Sequence, residues 1–567
     1  MPETADCREQ ILSEDTRDFI LNTRRESFLD TALEEMGGCR MWIGSTFSSI
    51  SVGKNGIQNQ NLGQFPYYSV PKCYTLLDNQ AMAEAGILQI QNYPRLELQG
   101  EGVLVGIVDT GIAYGEPVFR DLAGGTRILR IWDQTIQEGR PPEGFFYGTE
   151  YTKEEINQAL ESENPYGEVP SRDENGHGTF LASVACGSPD VENRFTGAAP
   201  MAELAVVKLK EAKTWLRDYY LIRRETPCYQ ENDVMAGIRY LDELARAQGK
   251  PLVLCLGLGT SMGSHTGASP LGRYLEELSE TARRAVVTGT GNEAEKRHHF
   301  QSVLPGEDER EEVEIRVDRD CPGFWMEVWS DIPNILEIGI VSPSGETGGA
   351  VSGQQGTLTY RFLFEQTTVS VTSRLAVEGT RAGMFALRFE RPAEGIWKLT
   401  VRALKLGSGR YDIWLPVTEF LDGEVYFLRP DPFTTVTEPG NAWNPITVAW
   451  YNGADKSIAI SSGRGYTREE RIKPDFAAPG MEILGVNARG QTALRSGSSL
   501  AVGITAGAVA LMLEWLALRL EQNVNTVQIK SLLMAGTQRR PDLAYPNREW
   551  GYGTLDMYQT FEELRRF

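Results

Sequence analysis

The sequence predicts an α/β protein whose parallel sheet is interrupted by an all-β insert and preceded by a small α+β unit. Three observations carry this. Between about residues 75 and 300, apolar runs (VLVGIVDTG, AELAVVKL, PLVLCLGLG, RAVVTGTGN) alternate with helical stretches such as ENDVMAGIRYLDELARAQG. Short apolar strands separated by amphipathic helices argue for a doubly wound sheet, covered on both faces. From about residue 304 to 415 the pattern changes to short alternating strands (EEVEIRV, GFWMEVWS, LEIGIV, TLTYRFLF, TVSVTS, MFALRFE, IWKLTV, YDIWLP), with turns at PSGE, EGT, PAEG and GSG. With almost no helical periodicity, that is the signature of a β-sandwich. After about residue 417 strand and helix return, so the sandwich is an insertion between two parts of one sheet.

The elements follow in order. The first zone holds a strand candidate at Asp18–Asn22, a helical stretch Ser27–Met36, the turn signal Gly37-Gly38 and an alternating strand Arg40–Val52, which together read as a small α+β unit. The stretch GKNGIQNQNLGQFP reads as a linker. In the last zone the uncharged apolar run Leu500–Leu513 falls short of the ~20 residues a membrane span needs and is broken by Gly503, Thr505 and Gly507. It reads as a buried helix, followed by a second near Thr526–Met534. The division is therefore residues 1–75, 76–303, 304–416 and 417–567.

Composition narrows the function. The chain has 567 residues, 41% apolar and 23% charged, which suits a large soluble core. Acidic residues exceed basic ones by 77 − 56 = 21, which opposes binding to nucleic acid or an anionic membrane surface. Seven cysteines (Cys7, Cys39, Cys73, Cys186, Cys228, Cys255, Cys321) are scattered, odd in number and form no C-x-x-C pair. Neither a disulfide framework nor a zinc site is expected, and a reducing compartment fits best. The N-terminus mixes acidic and basic residues and lacks the apolar core of a secretion signal.

Three local motifs carry chemistry. Asp109 ends the apolar strand Val103–Val108 and is followed by Thr110-Gly111, which puts a carboxylate where the carboxyl edge of a parallel sheet meets its crevice. A turn aspartate would look the same. His177, one of four histidines, sits between two glycines in NGHGTFLAS. A surface turn histidine is the plain alternative. Ser499, in RSGSSLAVGITAGAVAL, opens the most apolar helix, where the positive end of the macrodipole favours developing negative charge. An N-cap serine is the plain alternative there. Together, Asp, His and Ser in that order match one known arrangement of a serine-hydrolase triad.

These motifs resemble those of the subtilisin-like (subtilase) serine proteases. VGIVDTGI resembles the family's aspartate motif, NGHGTFLASVACG its histidine motif and SGSSLAVGITAGAVA its serine motif. TGTGNEA resembles the segment carrying the oxyanion-hole asparagine, here Asn292, and IKPDFAAPG the strand and turn before the serine motif. Within the family the chain is similar to the Csp-type clostridial germination proteases, which have an N-terminal prosegment, no obvious secretion signal and a jelly-roll domain inserted between the oxyanion asparagine and the serine motif. WDQTIQEGRPPEGFFYGTEYT, ENPYGEVPSRDENGHGTF, YQENDVMAGIRYL and FLRPDPFTTVTEPGN also look like that group. Some of its members have lost triad residues and act as non-catalytic regulators; this chain keeps all three. It departs from the family at Ser498 (usually threonine), Leu500 (usually methionine) and Gly503 (usually proline). The first two preserve size and polarity, and Gly503 costs up to about 1 kcal/mol relative to alanine inside a helix.

The resemblance implies a serine endopeptidase made as a precursor that cuts its own prosegment. Its substrate would be a protein or peptide, such as a spore-cortex hydrolase precursor cut by limited proteolysis. Ser499 would be the nucleophile, His177 the general base and acid, Asp109 its orienting carboxylate, and Asn292 an oxyanion donor. Gly257, Leu258 and Gly259 would form an edge strand pairing with substrate backbone; an ordinary buried strand is the alternative. Thr288–Gly291 would wall the first specificity pocket. No cofactor or metal site is read from the residues, the prosegment is a candidate bound partner after cutting, and with no secretion signal a cytoplasmic or spore-associated location is expected. The competing readings are a non-catalytic regulator or scaffold and a general peptidase unrelated to germination.

Three further groups have plainer readings. The adjacent His298-His299, with Glu293 and Glu295, read as a solvated loop rather than a metal site. GEDEREEVE reads as charged surface. Trp325, Trp329, Trp397 and Trp414, at strand spacing, read as sandwich core rather than a carbohydrate-stacking platform.

Overall fold

A computed structural model describes residues 4–22, 38–43, 46–53, 62, 65–76, 83–94, 96–353 and 356–565. The first unit is a helix α1 (Thr4–Leu12) on an antiparallel sheet of β1 (Thr16–Asn22), β2 (Cys39–Ile43) and β3 (Phe47–Gly53), in the order β1-β3-β2. The single strand expected over Arg40–Val52 is a hairpin instead, with Ile43 opposite Phe47 where the chain reverses. Alternation alone does not reveal such a reversal, because both strands keep the same period of two. α1 was not legible in its mixed charges. It is held by the buried Ile11 and by a Cys7–Cys39 disulfide, against the expectation of none. Those cysteines are 32 residues apart and meet only because α1 folds onto this sheet. The helix expected over Ser27–Met36 and most of the GKNGIQNQNLGQFP stretch lie outside the described residues.

The chain continues through β4 (Cys73–Leu76) into the central unit. Its strands are β5 (Leu104–Asp109), β6 (Ile128–Asp133), β7 (Thr149–Thr152), β8 (Glu203–Lys208), β9 (Tyr229–Gln230), β10 (Leu252–Leu256), β11 (Leu258–Gly259) and β12 (Arg284–Gly289). Two helices matter here, α2 (His177–Cys186) and α3 (Glu231–Ala247). After the insert, β24 (Ile446–Tyr451), β25 (Phe476–Pro479) and α4 (Ser498–Leu513) complete the unit. The eight-stranded sheet runs β25-β24-β12-β10-β5-β8-β6-β7, parallel except for the last pair. Both faces are covered, as the continuous apolar runs require: Val105 and Ile107 of β5 enter one core, Leu104 and Val108 the other. All sixteen residues of α4 are buried. Gly503 has a packing reason, since a Cβ there would lie 3.0 Å from Leu181 Cδ1 and 3.3 Å from Val184 Cγ1 of α2. The glycine lets α4 and α2 approach closely, and these two helices begin at Ser498 and His177.

The insert contains β13 (His299–Val303), β14 (Arg310–Val317), β15 (Gly323–Asp331), β16 (Ile335–Val341), β17 (Thr347–Ser352), β18 (Gly356–Phe362), β19 (Thr367–Arg374), β20 (Ala382–Glu390), β21 (Gly395–Lys405), β22 (Arg410–Trp414) and β23 (Val425–Phe427). They form two antiparallel sheets, β13-β22-β15-β20-β19-β18 and β17-β16-β21-β14-β23, that share one apolar core. The β-unit reaches beyond residues 304–416 at both ends, because β13 pairs with β22 and β23 with β14. Its outer strands, of five and three residues, are too short for alternation to announce them.

The insert is not self-contained. β15 is buried on both faces, and Trp325, Trp329 and Trp414 share a core with Phe19 and Val52 of the first unit and with Trp215, Tyr220 and Met262 of the central unit. Trp397 lies in the sandwich interior, so all four tryptophans are core. Polar groups lock the same junction. Glu327 of β15 accepts from the Tyr67 hydroxyl at 2.6 Å, the Trp325 and Trp329 indoles at 2.9 and 3.1 Å, and the Gly263 N–H at 3.0 Å. The first unit adds a buried ion pair, Asp18 with Lys213 Nζ at 2.8 Å.

Candidate active site

The site begins where β5 ends. Asp109 is fully buried, and its Oδ1 accepts the Thr110 N–H at 2.7 Å. Gly111 turns the chain away at φ +120°, a conformation that excludes most side chains. His177 opens α2 after Gly176, whose φ of +83° makes the abrupt entry into the helix. Gly178 has to be glycine: a Cβ there would lie 2.3 Å from the Gly111 carbonyl oxygen. This close approach brings the imidazole onto the carboxylate, with Nδ1 at 2.8 and 3.0 Å from the two oxygens of Asp109. The other ring nitrogen, Nε2, lies 3.1 Å from Ser499 Oγ.

Ser499 sits in the first turn of α4, buried, where unpaired backbone N–H groups and the helix dipole favour negative charge. Its neighbour Ser498 ties that turn to the loop after β12. The Ser498 N–H donates to Asn292 Oδ1 at 3.1 Å, and the Gly291 N–H donates to Ser498 Oγ at 3.1 Å. With the oxygen of its amide so engaged, half-buried Asn292 has its NH2 group left to donate. The structure thus brings Asp109, His177 and Ser499 into one hydrogen-bonded line, with Asn292 attached beside the serine.

Gly257 backs this line. A Cβ on it would stand 3.1 Å from Ser499 Cβ and 3.3 Å from His177 Cε1. Leu258 and Gly259 form the short strand β11, which lies outside the central sheet and pairs antiparallel with the chain's own β4: Leu258 opposite Leu76, Gly259 opposite Thr75. β4 is held on its other edge by β9, with Cys73 opposite Gln230. Leu258 and Gly259 are therefore a strand edge that pairs with an extended peptide, here the segment leading out of the first unit, while Gly257 lies outside the pairing.

Two residues escaped the sequence reading. Asp173, buried, accepts from Thr110 Oγ1 at 2.8 Å, the Gly176 N–H at 2.8 Å, the Thr179 N–H at 2.8 Å and Thr179 Oγ1 at 2.6 Å. It ties the end of β5 to the start of α2 and so sets the Asp109–His177 distance. Its only signal was an acid three residues before the glycine at the helix entry. Thr437 is the second. Its side chain lies between β11 and the loop after β12, where a Cβ on Gly259 or on Gly291 would meet it at 2.6 Å. The Thr437 hydroxyl is buried without a hydrogen-bond partner among the described residues.

The histidine pair is divided between two partners rather than lying in a solvated loop. His298 Nδ1 is 3.0 Å from Glu293, and His299 Nε2 is 3.3 Å from Asp412; both rings are buried because β13 begins there. Among the described residues no group of three or more His, Cys, Asp or Glu side chains is placed to hold a metal.

Comparison with known proteins agrees with this geometry. The profile of the subtilase family matches residues 100–323 and 429–553, leaving out most of the β-insert. The solved CspB protease of Clostridium perfringens superposes with a TM-score of 0.76 at 28% identity, covering 85% of this chain and 98% of that one. The membrane-bound transcription factor site-1 proteases of mouse and human are each 30% identical over 141 residues, 24% of this chain. The match spans only 13% of the length of those relatives.

Proposed function

This chain belongs to the subtilase family, the subtilisin-like serine proteases, and on that premise we propose that it is a serine endopeptidase that matures by cutting its own N-terminal prosegment. The observation that carries the reading is the unbroken line Asp109–His177–Ser499, with contacts of 2.8 and 3.1 Å. In that line Ser499 Oγ attacks the scissile carbonyl as its proton passes to His177 Nε2, and the same proton then goes to the leaving amine. Asp109 holds the Nδ1–H tautomer and stabilises the imidazolium. The Asn292 amide and the Ser499 N–H donate to the oxyanion, charge that exists only once the tetrahedral intermediate forms.

The β11 edge supports an extended peptide substrate. In the register seen for β4, one step beyond the Leu76–Leu258 pair reaches Gly257, the residue against Ser499. By similarity to the Csp-type proteases, the natural target is a protein zymogen such as a spore-cortex hydrolase precursor, cut at few sites inside a cytoplasmic or spore-associated setting. Hydrolysis of small peptides by the wild type beside Ser499→Ala separates an enzyme from a scaffold. Equal, negligible turnover by both would leave only the non-catalytic reading.

A further inference from the structure

Two buried cysteines face one another across the seam between the first unit and the central unit. Cys73 stands in β4 opposite Gln230 of β9, and Tyr74 stands opposite Tyr229. Cys228 lies two residues before Gln230, so it shares a strand face with Cys73 and sits diagonally across from it. Both thiols are reduced, fully buried and members of one apolar cluster that includes Val70, Leu216 and Tyr220. Each is therefore near enough to the other for the Cys73 thiol to help raise the Cys228 thiol. From that diagonal placement, closure to a sulfur–sulfur bond of about 2.0 Å asks for χ1 rotation and a shift of the short strand β4 toward β9.

We propose that Cys73 and Cys228 form a disulfide cross-linking site that keeps the prosegment attached to the catalytic unit after it has been cut. The proposal rests on the reading above, that the chain is cut beyond Leu76. Cys73 then belongs to the prosegment and Cys228 to the enzyme. While the bond is closed, Thr75 and Leu76 stay paired with β11 and hold the edge a substrate needs. When it is reduced, that strand exchanges with substrate.

The chemistry balances with a small-molecule disulfide, RSSR, as oxidant. One cysteine thiolate attacks it, forming a mixed disulfide and releasing one RSH after protonation. The second thiolate displaces the remaining RS group as another RSH, and the protein sulfurs join. The two protein thiols lose two electrons and two protons, and RSSR takes up both. Burial and the neighbouring Cys73 push the Cys228 thiol well up, so the docked pair reacts slowly. Exchange therefore takes place when β4 lifts from β9, where two residue pairs hold it.

The test uses the full chain. Ser499→Ala and wild-type protein are treated with oxidised glutathione, digested without reduction and mapped by mass spectrometry. A Cys73–Cys228 peptide is expected in both. In a denaturing gel the two pieces of cut wild type should run together, and should separate after dithiothreitol. Turnover of a small peptide should fall about tenfold on oxidation, because a tethered strand competes at high effective concentration. Cys228→Ser and Cys73→Ser, which keep Cys7 and Cys39, should lose both effects. A map of Ser499→Ala that shows the Cys7–Cys39 peptide without the Cys73–Cys228 peptide overturns the cross-link. Unchanged turnover by fully cross-linked wild type overturns its inhibitory role. Failure of self-cutting would not alter the Ser499→Ala map, so the two readings fail separately.

Discussion

Leu258 of β11, one residue from the glycine that backs Ser499, is paired with Leu76 of β4, the strand leading out of the first unit. On the proposed reading, that strand is both the first peptide offered to the site and an obstacle to any other. It is docked firmly, since Asp18 of the first unit is buried against Lys213 and Tyr67 against Glu327. Breaking one partner of such a buried pair typically costs about 3–5 kcal/mol.

The first expectation concerns self-cutting. Ser499→Ala should fold and remain uncut, because removing one hydroxyl hardly alters packing. The described pairing ends at Leu76 opposite Leu258, one residue from Gly257 beside Ser499, so wild type should acquire a new N-terminus a few residues beyond Leu76. Intact mass and N-terminal sequencing of the two proteins check this. Processing of the alanine variant at the same bond, in isolation, would show that another protease makes the cut.

For Asn292, a donor to charge that exists only in the transition state is expected to matter for kcat and not for KM. Asn292→Ala should lower kcat by about 10²- to 10³-fold with KM nearly unchanged. Because Asn292 also accepts the Ser498 N–H, its stability should be measured alongside. A well-folded variant with kcat within a few-fold of wild type would remove Asn292 from the reaction.

Gly257→Ala tests the backing of the nucleophile. The φ of Gly257 is not in the left-handed region, so any effect must come from the new methyl group, placed 3.1 Å from Ser499 Cβ and 3.3 Å from His177 Cε1. Contacts that short displace their neighbours by a few tenths of an ångström. We expect a loss of about tenfold or more in kcat with binding of extended peptides retained, and a stability cost of about 1–3 kcal/mol from overpacking. Kinetics equal to wild type would mean that the line of three residues tolerates movement.

Much of this architecture could be read from sequence because its signals are local. A strand buried on both faces must be continuously apolar, and the abrupt turns at Gly111, Gly176 and Gly178 announce themselves as glycine beside Asp109 and His177. What stayed hidden is non-local. The Cys7–Cys39 bond, the Glu327 hub and the role of Asp173 depend on which elements meet, and no spacing rule encodes that. The β-insert misled for the same reason. Alternation in GFWMEVWS marked one face of β15 as core, and the burial of its other face against Tyr219, Tyr220 and Tyr67 depends on partners hundreds of residues away or in another unit.

The last expectation is an acid sensitivity located where the insert meets the central unit. Asp412 of β22 is fully buried. Its Oδ2 lies 3.1 Å from Arg468 Nε and 3.3 Å from Arg410, and its Oδ1 accepts from Gln301 at 2.8 Å and lies 3.3 Å from His299. Burial alone would raise this carboxyl, but the His299 hydrogen bond and the charges of Arg468 and Arg410 hold it well below its usual value near 3.8. The folded state therefore resists protonation that the unfolded state accepts. As pH falls below about 4 the unfolded chain binds the extra proton, and stability falls with it. Above that point the contribution is present in full. Asp412→Asn, which leaves Arg468 with Asp331 as its remaining carboxylate partner, should lose about 1–3 kcal/mol at pH 7. The difference from wild type should narrow as pH falls from 4 toward 3. Urea unfolding across pH 3–7 measures both curves. A constant gap over that range would mean that Asp412 is not the group whose titration loosens the insert.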